Sequence, residues 1–320
     1  MRIKLRVLIL GATGFIGSKL SKVLRNRGDS IYIMSRSRVD DSWWICQLPT
    51  VEEISGIQTN SERHRFDGIN SLRALKLNYF VHAACGLLPS SRSEDFFDEY
   101  MMLIEPTFSL IDSCCALDIP FVYLSSAGAI YHDSKSLLNE ESELKPTTFY
   151  GMSKYIVEQY IYKKQQVGLR YLVLRPTNVY GRDLNNVHDN QGLIENSIIS
   201  ILQSLPLRQY GVSPTARDFL HVDDLISCIV ALLDLGELDR VLNIGSGEST
   251  FVDGVISTLY SLLNKEPNIE ILEGRPFDKS VIAVDIEQVR QLIPYSPMNI
   301  SEGLRLYLSQ IEIGNVVGLT

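Results

Sequence analysis

The chain has 320 residues, a length that corresponds to about two domains or to one large α/β unit. Hydrophobic residues make up 45% and charged residues 21%, values that exclude disordered, collagen-like and small disulfide-stapled proteins. The 38 acidic residues outnumber the 30 basic ones, and the resulting net charge of −8 argues against a protein that binds nucleic acid.

The first half of the chain alternates short apolar runs with longer amphipathic patterns. We predict strands at residues 5–10, 31–34, 79–83, 121–125 and 171–175, and helices at residues 14–27, 96–115 and 150–166. Continuous apolar strands separated by helices are typical of a parallel sheet that is covered on both faces. Right-handed crossovers then give a doubly wound, Rossmann-type α/β sheet.

Two parts of the chain depart from this alternation. Residues 36–75 show no clean period, and we expect an irregular crossover there. After about residue 178, glycines, prolines and polar loops interrupt shorter elements, as in a smaller lobe. We therefore predict a first domain over residues 1–177 and a C-terminal lobe over 178–320, from which segments near 221–260 return to the main sheet.

Cysteine and hydropathy patterns indicate a cytoplasmic protein. The five cysteines are an odd number and show no zinc-type spacing, so we expect reduced thiols and no metal site. No stretch approaches the roughly 18 consecutive apolar residues of a membrane span, so we expect no membrane partner.

A glycine-rich turn follows the first predicted strand and opens the first predicted helix. It reads Gly11-Ala-Thr13-Gly14-Phe15-Ile16-Gly17. Glycines allow a tight turn, close approach of the backbone to a pyrophosphate, and close packing of helix on strand. The helix N-terminus adds free N–H groups and a partial positive charge. The turn predicts dinucleotide binding, and the alternative is a purely structural glycine turn.

The end of the second strand distinguishes NAD from NADP. An acidic residue there would bind the ribose 2′-OH of NAD, whereas an arginine would favour the 2′-phosphate of NADP. The sequence has Met34-Ser-Arg36-Ser-Arg38, and no acidic residue follows before Asp40. Arg36 therefore favours NADP over NAD, unless both arginines are solvated surface charges.

A tyrosine and a lysine lie four residues apart at the start of the long helix predicted at 150–166. Their spacing places Tyr150 and Lys154 on one helix face. An ammonium beside a phenol lowers the phenol pKa, so the tyrosine can act as a general acid/base toward a carbinol or carbonyl. Upstream, the strand at 121–125 runs into Ser125 and Ser126, either of which could bond the same substrate oxygen. Such Tyr/Lys pairs are common on solvated helix faces, but the upstream glycine turn favours catalysis.

Together these motifs resemble the extended short-chain dehydrogenase/reductase family, whose NAD-dependent epimerases, dehydratases and reductases act on nucleotide sugars. The resemblance covers nearly the whole chain and is greatest to the UDP-galactose 4-epimerase-like branch. Further segments that carry it are Tyr79-Phe-Val-His-Ala-Ala84, Leu174-Arg-Pro-Thr-Asn-Val-Tyr-Gly181, Arg217-Asp-Phe-Leu-His-Val-Asp-Asp224, Leu242-Asn-Ile-Gly245 and Gly274-Arg-Pro-Phe-Asp278.

The resemblance implies a role for each motif, a homodimer, and a C-terminal lobe that binds the nucleotide sugar. Tyr150 would be the catalytic acid/base, Lys154 would hold the nicotinamide ribose, and Ser126 or Ser125 would bind the sugar C4 oxygen. Residues expected to contact the cofactor are Gly11, Thr13, Gly14, Phe15, Ile16, Gly17, Arg36, Ala83, Ala84, Lys154 and Pro176. Residues expected to contact the substrate, a UDP-sugar, are Asn178, Arg217, Arg275 and Asp278.

Three departures from the family pattern bear on the reaction. The residue four before Tyr131, where the family has the catalytic hydroxyl, is Ala127, so a neighbouring serine must substitute. The residue four before Thr107, often an asparagine in the family, is Leu103. The acid pair of the dehydratases is replaced by Ala127 and Gly128, which argues against elimination of water. We therefore expect a C4 epimerase of an NDP-hexose; the alternatives are an NADPH-dependent 4-keto-hexose reductase and a non-catalytic NAD(P)-binding regulator.

Overall fold

The computed structural model describes residues 3–36, 43–47, 63–134, 136–184, 192–210, 215–274 and 281–311, with the backbone alone at residues 36, 43, 63 and 64. The strands are β1 (Arg6–Leu10), β2 (Ser30–Arg36), β3 (Trp43–Gln47), β4 (Arg63–Arg65), β5 (Tyr79–His82), β6 (Phe121–Leu124), β7 (Tyr171–Pro176), β8 (Asn178–Tyr180), β9 (Leu207–Tyr210), β10 (Ala216–Arg217), β11 (Phe219–His221), β12 (Arg240–Ile244), β13 (Thr250–Phe251), β14 (Ile269–Leu272) and β15 (Val281–Ile282).

The α-helices are α1 (Phe15–Asn26), α2 (Ile69–Leu75), α3 (Ser93–Glu99), α4 (Glu105–Ala116), α5 (Ala127–Ile130), α6 (Phe149–Gln165), α7 (Leu193–Leu202), α8 (Val222–Leu235), α9 (Val252–Leu262), α10 (Glu287–Leu292) and α11 (Ile300–Gln310). A π-helical turn at Tyr100–Ile104 joins α3 to α4. None of these described helices combines the length and the apolar character that crossing a membrane requires.

The main sheet has eight strands in the order β12–β7–β6–β5–β1–β2–β3–β4. β2, β1, β5, β6 and β7 pair in parallel, as their unbroken apolar runs predict. The chain runs from β1 to β2 on one side and then returns to β5 on the other, so the strand order reverses between β1 and β5. Ligands of doubly wound sheets bind at this reversal, outside the carboxyl ends of the strands. The predicted doubly wound α/β sheet is confirmed.

The expected irregular crossover over residues 36–75 is wrong for the described residues of that segment. β3 pairs antiparallel with β2, β4 pairs antiparallel with β3, and α2 follows. Only six residues separate β2 from β3, too few for the helical crossover that a parallel pair needs. Trp43, Trp44 and Ile45 supply aromatic and β-branched side chains, which favour a strand even though charged residues surround them.

The helix predicted over 96–115 is present but is interrupted by the π-helical turn. Pro106 lies in the first turn of α4. A proline inside a helix lacks an N–H donor and clashes with the carbonyl four residues earlier, so the helix locally widens. In the same turn the Thr107 hydroxyl donates to the carbonyl of Leu103 at 2.6 Å, next to the candidate site.

The chain divides into two compact units that interleave along the sequence. The first consists of Met1–Ser126, Phe149–Arg175 and Ile229–Leu242, and the second of Ala127–Thr148, Pro176–Cys228 and Asn243–Thr320. In the first unit the core surrounds β1, β5 and β6, where the rings of Phe80 and Phe121 stack 5.3 Å apart. In the second, Ile198, Leu259 and Leu304 belong to a separate buried cluster.

Candidate active site

The glycine turn after β1 packs too tightly for side chains at two of its positions. Gly11 has φ +90°, and a Cβ there would lie 2.6 Å from the amide nitrogen of Ala84. A Cβ on Gly17 would lie 2.2 Å from the carbonyl oxygen of Gly11. Gly11 therefore lets the turn approach the end of β5 at Ala83 and Ala84, and Gly17 lets α1 pack on the turn.

The N-terminus of α1 fits an anionic group. Gly14 precedes the helix, and no side chain caps it. Thr13 and Gly14 are exposed, and Phe15 and Ile16 are half-buried. The first N–H groups of a helix without a capping side chain remain available to a ligand, and the helix dipole favours negative charge there. Together with the close-packed glycine cradle, this geometry suits the pyrophosphate of a dinucleotide.

Tyr150, Lys154 and Ser126 come together at the carboxyl end of β6. Tyr150 lies in the first turn of α6, and the Ser126 hydroxyl lies close enough to its phenol to lower the phenol pKa. Lys154 is buried one turn later and donates from Nζ to the carbonyl of Leu124 at 2.9 Å. The same Nζ lies 5.9 Å from the centre of the Tyr150 ring and 5.2 Å from that of Tyr123. The i,i+4 pair therefore faces the sheet rather than solvent.

Opposing effects act on the two titratable groups of this pair. Burial is the largest influence and raises the pKa of Tyr150 overall, so the lowered pKa expected from the sequence is wrong for the protein without ligands; the ammonium of Lys154 and the Ser126 hydroxyl only reduce the rise. Burial alone would lower the pKa of Lys154, but its ionisable neighbours Tyr123, Cys85, Tyr150 and Glu99 raise it overall. Lys154 is therefore a fixed ammonium that stabilises phenolate at Tyr150.

The two adjacent serines have different environments. The amide of Ser125 donates to the carbonyl of Leu174 at 2.8 Å, which extends the pairing of β6 with β7. Its hydroxyl is buried and has no hydrogen-bond partner among the described residues. Ser126 is half-buried and its hydroxyl acts on the phenol of Tyr150, and Ala127 then begins α5 fully buried. Of the two serines, the structure brings Ser126 to Tyr150.

A buried ion pair that sequence reasoning missed anchors α6 to the sheet. Arg175 in β7 donates from Nη2 and Nε to the two carboxylate oxygens of Glu158, at 2.6 and 3.1 Å. Both side chains are only 5% exposed. The one available signal was an arginine inside an otherwise apolar strand, because such a charge needs a buried partner.

A second polar contact lies behind the lysine. His82 at the end of β5 is bonded through Nε2 to the Thr107 hydroxyl at 2.9 Å. Burial, followed by the charge of Lys154, lowers the pKa of His82 to about 3. His82 is therefore neutral, and it ties β5 to α4 without adding charge to the site.

In the second unit, Asp218 organises the residues predicted to bind substrate. Asn178 donates from its backbone and its side chain to the carbonyl of Asp218, at 3.1 and 3.0 Å. The buried carboxylate of Asp218 accepts from the Ser246 and Gly247 amides at 2.7 and 3.1 Å. Arg217 is half-buried and donates to the carbonyl of Ala216 at 2.9 Å.

Of the remaining predicted site residues, the structure describes Pro176 in full and Arg36 only in its backbone. Pro176 is buried at the end of β7. Arg275, Asp278 and Arg38 lie outside the described residues, as does the side chain of Arg36, whose backbone ends β2 opposite Trp43.

A family model and two curated relatives match the chain. The model for the NAD dependent epimerase/dehydratase family matches residues 7–245. A dTDP-4-dehydro-6-deoxyglucose reductase of Escherichia coli is 23% identical and covers 91% of this chain and 92% of its own. An uncharacterized UDP-glucose epimerase, YtcB of Bacillus subtilis, is 25% identical and covers 97% of this chain and 100% of its own.

A solved structure, MoeE5 in complex with UDP-glucose and NAD, is similar over almost the full length. It has a TM-score of 0.75 and 26% identity, and the match covers 97% of this chain and 98% of MoeE5. A further structure of MoeE5 contains UDP-glucuronic acid and NAD.

Proposed function

The chain belongs to the NAD-dependent epimerase/dehydratase family, and from that premise we propose that it is an NDP-sugar 4-epimerase whose substrate is a UDP-sugar. The observation that carries the proposal is the grouping of Ser126, Tyr150 and Lys154 at the end of β6. These groups suffice to move one proton at a sugar hydroxyl. The positions Ala127 and Gly128, which cannot transfer a proton, leave no second acid/base pair for dehydration.

Tyr150 is proposed to act as the acid/base at the C4 oxygen. Ser126 would hold that oxygen by a hydrogen bond, and Tyr150, as phenolate stabilised by Lys154, would take its proton. When bound, the nicotinamide supplies a hydride acceptor and donor for C4. Tyr150 would return the proton after the sugar has presented its other face, so a full turnover changes neither the charge nor the redox state of the protein.

The dinucleotide would be held by the glycine turn and the residues around it. The turn formed by Gly11, Thr13, Gly14, Phe15 and Ile16 would place the pyrophosphate at the N-terminus of α1, which no side chain caps. Lys154 would bond the nicotinamide ribose, and Ala83, Ala84 and Pro176 would pack beside the cofactor. In the second unit, Asn178, Arg217, Arg275 and Asp278 are proposed to contact the nucleotide sugar, and a homodimer is the proposed assembly.

The NADP preference is proposed from Arg36 at the end of β2, because no acidic residue lies between Arg36 and Asp40. MoeE5, by contrast, was solved with NAD. We expect NADP(H) to bind at least as well as NAD(H), and the Arg36→Ala variant to lose NADP(H) affinity selectively. Calorimetric titration of the wild type and of Arg36→Ala with NADP(H) and with NAD(H) measures these affinities. Equal NADP(H) affinity in the two proteins would make Arg36 a surface charge.

The decisive experiment incubates purified protein with UDP-sugars, with and without added NADPH. Interconversion of C4 epimers without added cofactor supports the proposal, and the dinucleotide released on denaturation can be identified by its mass. NADPH oxidation by a 4-keto sugar would instead indicate a reductase, the activity of the E. coli relative. Neither epimer interconversion nor NADPH oxidation would leave a non-catalytic NAD(P)-binding protein.

The Tyr150→Phe variant tests whether Tyr150, paired with Lys154, is the acid/base of the reaction. Loss of the phenol should lower turnover by roughly 10²–10⁴-fold, the usual scale for general acid/base catalysis. The matched control is Tyr162→Phe, which removes an exposed phenol from the same helix and should leave turnover unchanged. Near-wild-type turnover of Tyr150→Phe would contradict the assignment.

A further inference from the structure

His82 is buried at the end of β5, and only one of its two ring nitrogens contacts a hydrogen-bond partner. The ring lies edge-on to that of Tyr123, with centroids 5.4 Å apart, and Nε2 lies 2.9 Å from the Thr107 hydroxyl. Nδ1 is buried and has no hydrogen-bond partner among the described residues. A buried polar atom left in this way is costly unless a small ligand or a water molecule satisfies it.

The hydrogen bonds of Thr107 determine the tautomer of His82. A hydroxyl has one hydrogen, and Thr107 donates its hydrogen to the Leu103 carbonyl. At the contact with His82 the hydroxyl therefore accepts, and Nε2 donates. Burial and the charge of Lys154 lower the pKa of His82 to about 3, so the ring is neutral and carries a single N–H. Nδ1 is therefore a hydrogen-bond acceptor.

A cavity of about 10 Å³, enough for about one water molecule, is lined by residues of β5, α4 and α6 that include His82 and Lys154. Three other polar groups of its lining already donate to backbone carbonyls: Ser153 to Tyr150, Thr107 to Leu103, and Cys85 to Leu87. These three hydrogens are therefore not available to a molecule in the cavity.

Lys154 can supply the donor that a water molecule in this cavity needs. Its ammonium has three hydrogens, and one of them is donated to the Leu124 carbonyl at 2.9 Å. Glu99 lines the same cavity, and a carboxylate can accept several hydrogen bonds. A water molecule would thus find one donor, Lys154, and two acceptors, His82 and Glu99. Buried water molecules typically have two to four such partners.

We propose that the cavity is a specific water site, and that His82 is a positioning residue that holds Lys154 through the bound water. The water accepts from Nζ of Lys154 and donates to Nδ1 of His82. The inference rests on the proposed function, because it takes Lys154 to stabilise the Tyr150 phenolate. With the Leu124 carbonyl and the water as two fixed acceptors, the ammonium keeps its place beside Tyr150, and its third hydrogen is left for the nicotinamide ribose.

The ionisable groups around Lys154 decide how a change at His82 reaches Tyr150. Tyr123 in β6, Cys85 after β5, Tyr150 in α6 and Glu99 in α3 raise the pKa of Lys154 overall, and His82 in β5 is neutral. Lys154 therefore stays an ammonium at neutral pH whatever replaces the imidazole. Loss of the water contact acts through the position of this charge, and an ammonium held less closely lets the pKa of Tyr150 rise further.

Two substitutions of His82 separate the two ring nitrogens. In His82→Asn the side-chain amide takes the place of Nδ1, so an acceptor for the water remains and the contact with Thr107 is lost. In His82→Gln the amide takes the place of Nε2, so the contact with Thr107 remains and the acceptor for the water is lost. The two variants are matched controls for each other, and thermal unfolding checks that both fold.

The measured quantities are kcat and KM for UDP-glucose as functions of pH. We expect His82→Asn to keep the wild-type pH profile. His82→Gln should lose about tenfold in kcat at neutral pH, the lower end of what one hydrogen bond to a charged group contributes, with KM unchanged and the rise of activity moved to higher pH. A shift in His82→Asn alone would show that only the tie to Thr107 matters and would overturn the inference, as would a shift in both variants or in neither.

Two further measurements read the site without turnover. Nitrogen-15 NMR of histidine-labelled protein should show His82 with a protonated Nε2 and an unprotonated Nδ1, and its signals are assigned by their absence from His82→Asn. A crystal structure should show a water within about 3 Å of both Nδ1 and Nζ. A protonated Nδ1 or a dry cavity would overturn the water site. Both features in a protein without epimerase activity would overturn the proposed function alone.

Discussion

Replacing Lys154 by methionine tests whether a fixed ammonium controls the chemistry of Tyr150. Methionine keeps the length and the apolar character of the side chain and removes its charge. Nζ lies 5.9 Å from the centre of the Tyr150 ring. Coulomb's law with an effective dielectric constant of about 20 gives an attraction of about 3 kcal/mol between an ammonium and a phenolate at this separation. That energy corresponds to roughly a hundredfold change in a rate or equilibrium constant.

The direction of the effect follows from the two influences on the phenol. Without Lys154, burial remains and the pKa of Tyr150 rises further. Because the phenolate takes the proton from the sugar hydroxyl, kcat at neutral pH should fall about 100-fold, the free-energy estimate converted to a rate. The rise of activity with pH should also move to higher pH.

Steady-state kinetics over a range of pH, with thermal unfolding as the check on folding, measures both effects. The matched control is Lys163→Met, which removes an exposed lysine from the last turn of the same helix. A pH profile of Lys154→Met that coincides with the wild type would refute the electrostatic argument, even if kcat were lower. A parallel shift in Lys163→Met would show that the effect is one of overall charge.

Three further predictions concern the serines and two buried carboxylates. Ser126→Ala should lose about 1.5–3 kcal/mol of transition-state stabilisation, the value of one hydrogen bond to a charged group, and Ser125→Ala should lose far less. A loss of turnover in Ser125→Ala alone, measured by steady-state kinetics, would reverse the assignment. Glu158→Leu removes the buried carboxylate that faces the charge of Arg175, so urea unfolding should show a loss of about 3–5 kcal/mol, largely recovered when Arg175→Met is added. Burial raises the pKa of Glu195, so its contribution to stability is present below the ordinary carboxyl pKa and is lost as pH rises through the raised value. Glu195→Gln should therefore lose less stability across that window, and unchanged pH dependence of unfolding would contradict this.

Features that depend on neighbours in sequence were predictable from the sequence. The apolar run of β1, the glycine turn and the start of α1 each follow from local steric and hydropathic preferences. The placement of Tyr150 and Lys154 on one helix face follows from helix geometry alone. Right-handed crossovers between the parallel strands made the doubly wound sheet predictable as well, although not the antiparallel strands β3 and β4 at its edge.

The residues 36–75 show where local reasoning fails. The charged residues on either side of Trp44 and Ile45 obscure the strand preference of these two residues in the sequence pattern. The direction of β3 is set by its short connection to β2 and by its pairing with β2. The π-helical turn likewise required knowing that Pro106 lies inside a helix rather than at its start.

Only the tertiary structure decided which side chains meet across long sequence separations. Ser126 rather than Ser125 reaches Tyr150, Glu158 pairs with Arg175, and Glu99 lies on the loop at Gly86. Each of these contacts joins two elements whose relative position is set by the packing of the core, and packing depends on all the side chains between them at once. The sequence by itself determined the chemical groups and their local order, and the fold decided which of those groups share a site.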